Sequence, residues 1–246
     1  MPDASKLTVK IFADGADIDD MKEMYGNPLI KGFTTNPTLM RAAGVSDYRA
    51  FAQEALAAIP DRPISFEVFA DELPEMEAQA LEIGSWGKNI YVKIPVTNTK
   101  GEFCGPIIES LSKKGVMLNV TAVFTLDQVA HIAAALDPET PAIVSVFAGR
   151  IADSGIDPVP LMASAAELLR ESRPKAELLW ASPRELLNIL HAESVGCGVI
   201  TVTNGVLKKL PLLGKDQNEY SLETVRMFYN DARDAGYTIE TRAVAE

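Results

Sequence analysis

The feature that most constrains this chain is an alternation that runs from its first residues to its last. Short runs rich in β-branched and apolar residues take turns with longer stretches of helical period. Parallel strands need a crossover, usually a helix, so this alternation is the signature of a parallel sheet built from βα units. Eight runs read as strands: Thr8–Ala13, Lys31–Phe33, Ile64–Val68, Ile90–Ile94, Met117–Val120, Ala142–Val146, Glu177–Ala181 and Val199–Val202. Amphipathic spacing predicts helices over Leu73–Trp86, Pro106–Lys114, Leu126–Leu136, Pro158–Glu171 and Pro183–Glu193. Pro106, Pro158 and Pro183 fall where a first helical turn tolerates proline. Asp137–Pro138, Asp157–Pro158 and Gly26–Asn27 mark turns, and no stretch is long or biased enough to link two domains. With 246 residues, 47% of them hydrophobic, the chain suffices for one well-buried core and matches the size of one α/β barrel. One domain over residues 1–246 is expected, with a helical extension from about 215 to 246 in which Leu222–Ala235 reads as a helix beyond the eighth unit. A doubly wound open sheet would alternate in the same way, so the count of eight and the chemistry of the site decide for a single (β/α)8 barrel of the TIM type.

Composition narrows the partners. A net charge of −11 with no run rich in Lys or Arg argues against a nucleic-acid surface, and an anionic substrate must then find local cations. Residues Met1–Leu7 contain no cationic stretch followed by an apolar one, and no apolar run approaches the ~18 residues of a membrane span. A soluble cytoplasmic protein is expected, with no membrane partner. Cys104 and Cys197 fit neither a metal pattern nor a disulfide framework and read as buried or half-buried thiols. His131 and His191 lack the spacing of metal ligands, and His131 reads as a helix-surface residue.

Side-chain parity supplies the chemistry, because residues two apart on a strand share a face. Ile90, Val92 and Ile94 share the aliphatic face that would meet the outer helices, which turns Lys93 into the barrel. The same argument sends Phe66 and Val68 outward with Ser65 and Glu67 inward, and Leu118 and Val120 outward with Asn119 and Thr121 inward. Asp14, Ser145 and Ser182 fall on the face opposite Ile11, Val144, Val146, Leu179 and Ala181. The C-terminal ends of the strands are where such a barrel keeps its active site. A buried lysine facing carboxylates is costly unless it has a task or a partner. Asp17, Asp19 and Asp20 follow Asp14 too closely to share its face and read as the opening of a helix, where carboxylates complement the dipole.

Seven segments, FADGAD (Phe12–Asp17), GFTTNPT (Gly32–Thr38), FEVFA (Phe66–Ala70), VKIPVT (Val92–Thr97), LNVTAVFT (Leu118–Thr125), VFAGRI (Val146–Ile151) and WASPRE (Trp180–Glu185), stand in the order in which the transaldolase family carries them. The chain resembles that family over most of its length, and in size it is similar to the compact branch that includes the fructose 6-phosphate aldolases. The resemblance implies that Lys93 forms a Schiff base with a ketose, which agrees with a desolvated lysine presenting its free amine. It implies that Asp14 is the acid/base acting on the sugar hydroxyl as the carbon–carbon bond breaks, and that Glu67 and Thr121 hold a water for proton transfer. It further implies sugar contacts from Thr35, Asn36, Asn119, Ser145, Phe147 and Ser182, and a phosphate clamp of Arg150 and Arg184. Each has an ordinary alternative: Asn36 precedes Pro37 and can cap a helix, the serines can bond to backbone, and either arginine alone can form a surface salt bridge.

Two positions discriminate within the resemblance. Transaldolases carry glutamate and phenylalanine where the aldolases carry glutamine and tyrosine, and this chain has Glu67 and Phe147. The expected reaction is transfer of a dihydroxyacetone unit between sugar phosphates, exchanging sedoheptulose 7-phosphate and glyceraldehyde 3-phosphate for erythrose 4-phosphate and fructose 6-phosphate. No metal or organic cofactor is expected, since the iminium is the electron sink. A homo-oligomer is expected. The alternatives are a fructose 6-phosphate aldolase or a transaldolase for a modified sugar and, from another class, a phosphosugar-binding barrel without catalysis.

Overall fold

The structure, a computed structural model, describes residues 6–241. The first five residues of the Met1–Leu7 segment and the last five of the C-terminal extension lie outside the described residues. Eight parallel strands close into a barrel in sequential order. They are β1 (Lys10–Asp14), β2 (Ile30–Thr34), β3 (Ile64–Glu67), β4 (Ile90–Pro95), β5 (Leu118–Val123), β6 (Ala142–Val146), β7 (Ala176–Trp180) and β8 (Val199–Thr203). The helices are α1 (Ile18–Tyr25), α2 (Pro37–Ala42), α3 (Tyr48–Ala58), α4 (Leu73–Gly84), α5 (Gly105–Lys113), α6 (Leu126–Ala135), α7 (Ala148–Asp153), α8 (Val159–Ser172), α9 (Leu187–Ser194), α10 (Asn204–Leu207) and α11 (Gln217–Asp234). Closure is made by β1 on β8, in continuous register from Lys10 opposite Val199 to Asp14 opposite Thr203.

The sequence sets the helix starts by side-chain caps. Asp17 accepts from the amides of Asp19 and Asp20 at 3.0 Å each and opens α1, while Asn36 caps α2 and Asp47 caps α3, each with one carboxylate or amide oxygen. Thr125 and Gln128 form a reciprocal capping box at α6. Pro183 does not begin a helix, because α9 starts only at Leu187.

Two apolar layers flank the strands. The outer one joins outward strand residues such as Phe66, Val92, Ile94, Leu118, Val120 and Val144 to the helices. The inner one is a plug of Phe12, Ile143, Leu179, Ala181 and Val199, with Tyr91 and Phe147 packed on it. Leu179 and Ala181 thus point inward, not outward as parity with Ser182 predicted, and the indole-bearing Trp180 takes the outward place. Ser182 recovers its inward direction through a left-handed backbone at φ 61°, which breaks the alternation at the end of β7. Gly32 makes room for the plug: a Cβ there would lie 2.5 Å from the Phe12 ring.

Candidate active site

A cavity of about 520 Å³ opens above the plug at the C-terminal ends of the strands. Asp14, Asn36, Glu67, Lys93, Thr121, Ser145, Phe147, Arg150, Ser182 and Arg184 all line it. A second hollow, at the N-terminal end around Lys10, Lys31, Tyr91 and Glu177, shares no lining residue with it.

Lys93 is 7% exposed, and its ammonium donates to the Thr35 carbonyl at 2.9 Å and pairs with Glu67 Oε2 at 3.6 Å. β3 and β4 run with Glu67 opposite Lys93, so strand register brings the two residues alongside each other. Burial raises the Glu67 carboxyl above its ordinary value, Lys93 opposes that rise, and the Asp14 charge adds to it. Burial likewise raises Asp14, against the charge of Lys93 and a 2.7 Å hydrogen bond donated by Thr34 Oγ1. The Thr34 hydroxyl is also bonded to that of Thr201, so β8 supports the hydroxyl on β2 that holds the Asp14 carboxylate.

A carboxyl that holds its proton more tightly in the folded chain contributes stability that is complete below its ordinary 3.8 and is lost as pH rises through the raised folded value. Asp14→Asn is therefore expected to raise the unfolding temperature at neutral pH, with the gain shrinking as pH falls into the carboxylate range. Thermal scans of both proteins across that range check it, and equal curves at neutral pH would refute it.

Around β5 the site departs from regular geometry. The β5–β6 register shifts between Val120 and Val123, and Ala122 sits at φ 59°. This bulge leaves Thr121 Oγ1 buried without a hydrogen-bond partner while its side chain borders the cavity. An orphaned hydroxyl in a cavity that carboxylates also line suits a bound water. Asn119 does not line the cavity. Its amide bridges Ser65 Oγ at 2.9 Å and Ser145 Oγ at 2.6 Å, tying three strands together. Thr35 is also outside the lining, with its hydroxyl on the Ser65 carbonyl at 2.9 Å. Asn36 lines the cavity and uses its side-chain oxygen on the Leu39 amide at 2.9 Å.

The two arginines reach the rim differently. Arg150 lies over the Phe147 ring at 5.4 Å, and Phe147 in turn stacks on Phe124 at 5.7 Å. Arg184 gives Nε to Asp153 Oδ1 at 3.0 Å and Nη2 to the other carboxylate oxygen. The segments that carry them meet at Gly149, whose amide donates to the Ala181 carbonyl at 3.2 Å. Thr34, Thr201, Gly149 and Asp153 were not singled out in the sequence, although Gly149 stands inside the AGR segment and Thr34 inside TTNP. Among the described residues no group of three His, Cys, Asp or Glu side chains could hold a metal ion, and no helix is long and apolar enough to cross a membrane.

The sequence profile of the transaldolase/fructose-6-phosphate aldolase family matches residues 11–245. A protein of Dehalococcoides mccartyi named "Probable transaldolase" is 36% identical over 202 residues, 82% of this chain and 90% of its own. Another so named, from a Thermoanaerobacter species, is 30% identical over 231 residues, 94% of this chain and all of its own. The solved structure of KGPDC from Streptococcus mutans superposes with a TM-score of 0.54 at 10% identity, over 82% of this chain and 90% of that one, a likeness of fold.

Proposed function

Because this chain belongs to the transaldolase/fructose-6-phosphate aldolase family, we propose that it is a transferase that carries a dihydroxyacetone unit on Lys93 from a ketose phosphate to an aldose phosphate. The observation that carries this reading is a buried lysine held between the Thr35 carbonyl and the Glu67 carboxylate in a cavity that Asp14 also lines. Sedoheptulose 7-phosphate or fructose 6-phosphate is the donor, and glyceraldehyde 3-phosphate or erythrose 4-phosphate the acceptor.

In this mechanism Lys93 Nζ attacks the ketose carbonyl carbon, and the carbinolamine loses water to give an iminium. Glu67 and the unpaired Thr121 hydroxyl move the protons of addition and dehydration through a water held between them. Asp14 takes the proton from the hydroxyl of the neighbouring carbon chain, the carbon–carbon bond breaks, and its electron pair passes into the enamine. The first aldehyde leaves, the enamine carbon adds to the acceptor carbonyl, and Asp14 returns its proton to the new alkoxide. Hydrolysis then frees Lys93. Phe147 supports transfer over release, because it borders the cavity with a ring that carries no proton to give the enamine. Exposed Leu222, Val225, Met227 and Phe228 on α11 support a homo-oligomer, and a cytoplasmic location is part of the same reading.

Borohydride reduction in the presence of fructose 6-phosphate, followed by mass spectrometry, tests the imine on Lys93, and product analysis with and without acceptor aldehyde tests transfer. Failure to label Lys93 would sink the mechanism. For the clamp, hydrogen bonds to charged groups are worth about 1.5–3 kcal/mol, or roughly 10- to 100-fold. Arg184→Ala is expected to raise KM by that factor for phosphorylated donors and to leave dihydroxyacetone nearly unaffected. Equal changes for both would remove Arg184 from phosphate binding.

A further inference from the structure

The β2–β3 ladder stops one step before Glu67, and the reason is written in the TTNP segment. Phe33 N–H donates to the Pro63 carbonyl at 2.8 Å and Thr35 N–H to the Ser65 carbonyl at 3.3 Å. One more step of the same parallel pattern would need residue 37 to donate to the Glu67 carbonyl and Glu67 N–H to donate to the Thr35 carbonyl. Residue 37 is proline, which has no N–H, and the Thr35 carbonyl is turned to Lys93 Nζ at 2.9 Å. Both backbone groups of Glu67 on that side would be left without partners.

Tyr48, at the start of α3, fills both vacancies with one hydroxyl. Its Oη accepts from Glu67 N–H at 2.7 Å and donates to the Glu67 carbonyl at 2.9 Å. The ring is clamped by Phe69 at 4.6 Å, Trp86 at 5.7 Å and Phe66 at 6.1 Å, which fixes where the hydroxyl stands. Burial pushes the phenol well above its usual range, so the O–H stays available as a donor across the working pH range.

We propose that Tyr48 is a positioning residue for the Lys93–Glu67 pair: by standing in for the missing β2 partner it frees the Thr35 carbonyl for Lys93 and holds the Glu67 carboxylate opposite the amine. The inference rests on the Schiff-base reading of the site. Tyr48 does not line the cavity, and it acts through the backbone of Glu67.

The test compares Tyr48→Phe with the unaltered full chain, counting imine-competent sites by borohydride trapping with fructose 6-phosphate. Turnover per trappable site is expected to fall roughly ten- to hundredfold, the scale of a small misplacement of a catalytic group, while the donor KM moves less than about twofold. The limb of the pH–rate profile set by the Glu67 carboxylate should move as well. If Tyr48 only supports the fold, the variant loses thermal stability or trappable sites but keeps its per-site turnover and pH profile, and that result overturns the proposal. A second measurement needs no variant to fold: in the unaltered chain the Glu67 amide should be protected from hydrogen exchange, and exchange at the rate of an open loop overturns the proposal too. Absence of any trapped adduct on Lys93 in the unaltered chain would overturn the Schiff-base reading instead, and the amide measurement keeps the two failures apart.

Discussion

Lys93→Ala is expected to abolish turnover, by roughly the 10⁶-fold typical of deleting a covalent nucleophile. Lys93 is the one lysine among the described residues that line the cavity, and the proposed imine therefore rests on its amine, held between the Thr35 carbonyl and Glu67. The same change has a second, independent consequence. Asp14 and Glu67 both have carboxyls raised by burial, and the charge of Lys93 opposes the rise in both. Without it, each carboxyl rises further, and leaving buried charge uncompensated costs about 3–5 kcal/mol at a pH where the charge persists. The stability deficit of the alanine variant should therefore grow as pH rises above the carboxylate range and fade as pH falls into it. Lys93→Arg separates the two effects, since it keeps the positive charge but cannot form an imine at neutral pH. It should be inactive, with a pH dependence of stability closer to that of the unaltered chain. Kinetics and thermal unfolding across pH check both, and turnover in either variant would end the Schiff-base mechanism.

Gly149→Ala is expected to damage stability rather than chemistry. A Cβ at Gly149 would sit 1.5 Å from the Ser182 carbonyl oxygen and 2.6 Å from its carbon. Both are backbone atoms, so no rotamer change relieves the overlap, and α7 must move away from the end of β7. An overpacking cost of about 3 kcal/mol corresponds to a loss of roughly 6–12 °C in Tm for a chain of this size. Because α7 carries Arg150 and the β7 end leads to Arg184, the shift should also raise KM for phosphorylated substrates. Gly205→Ala is the control, since a methyl there meets only Thr203 Oγ1 at 4.0 Å. Wild-type Tm and KM in Gly149→Ala would show that the close approach does not bind the two rims together.

What the sequence made legible follows from how regular each strand is. In β3, β4 and β5 one face is aliphatic and the other polar, so parity alone turned Ser65, Glu67, Lys93, Asn119 and Thr121 to the interior. In β7 both faces are apolar, because Leu179 belongs to the plug and Trp180 to the outer layer. Parity had nothing to read there, and Ser182 reaches the cavity only through a left-handed turn that no alternation encodes. The opening of α1 was legible in Asp17, Asp19 and Asp20, whereas α2 has only six residues and α3 begins at an Asp47 cap that the helical spacing alone did not single out. Asn36 shows how two readings of a residue can coexist, since one side chain both caps α2 and borders the cavity. Thr35 and Asn119 stand apart from the lining, because their bonds to Ser65 and Ser145 depend on which strands become neighbours. Tyr48 and Asp153 were invisible for the same reason, each acting on a residue brought near only by closure of the barrel.

The apolar plug has a consequence for the order of events. Phe12, Ile143, Leu179 and Val199 seal the lower end, and the hollow beyond them shares no lining residue with the cavity that Lys93 lines. Among the described residues the vessel is closed below by this plug and opens at the strand ends. In the proposed transfer reaction both aldehydes would use the mouth at the strand ends, so the departing one has to clear that threshold before its replacement comes in, and the two queue for one passage.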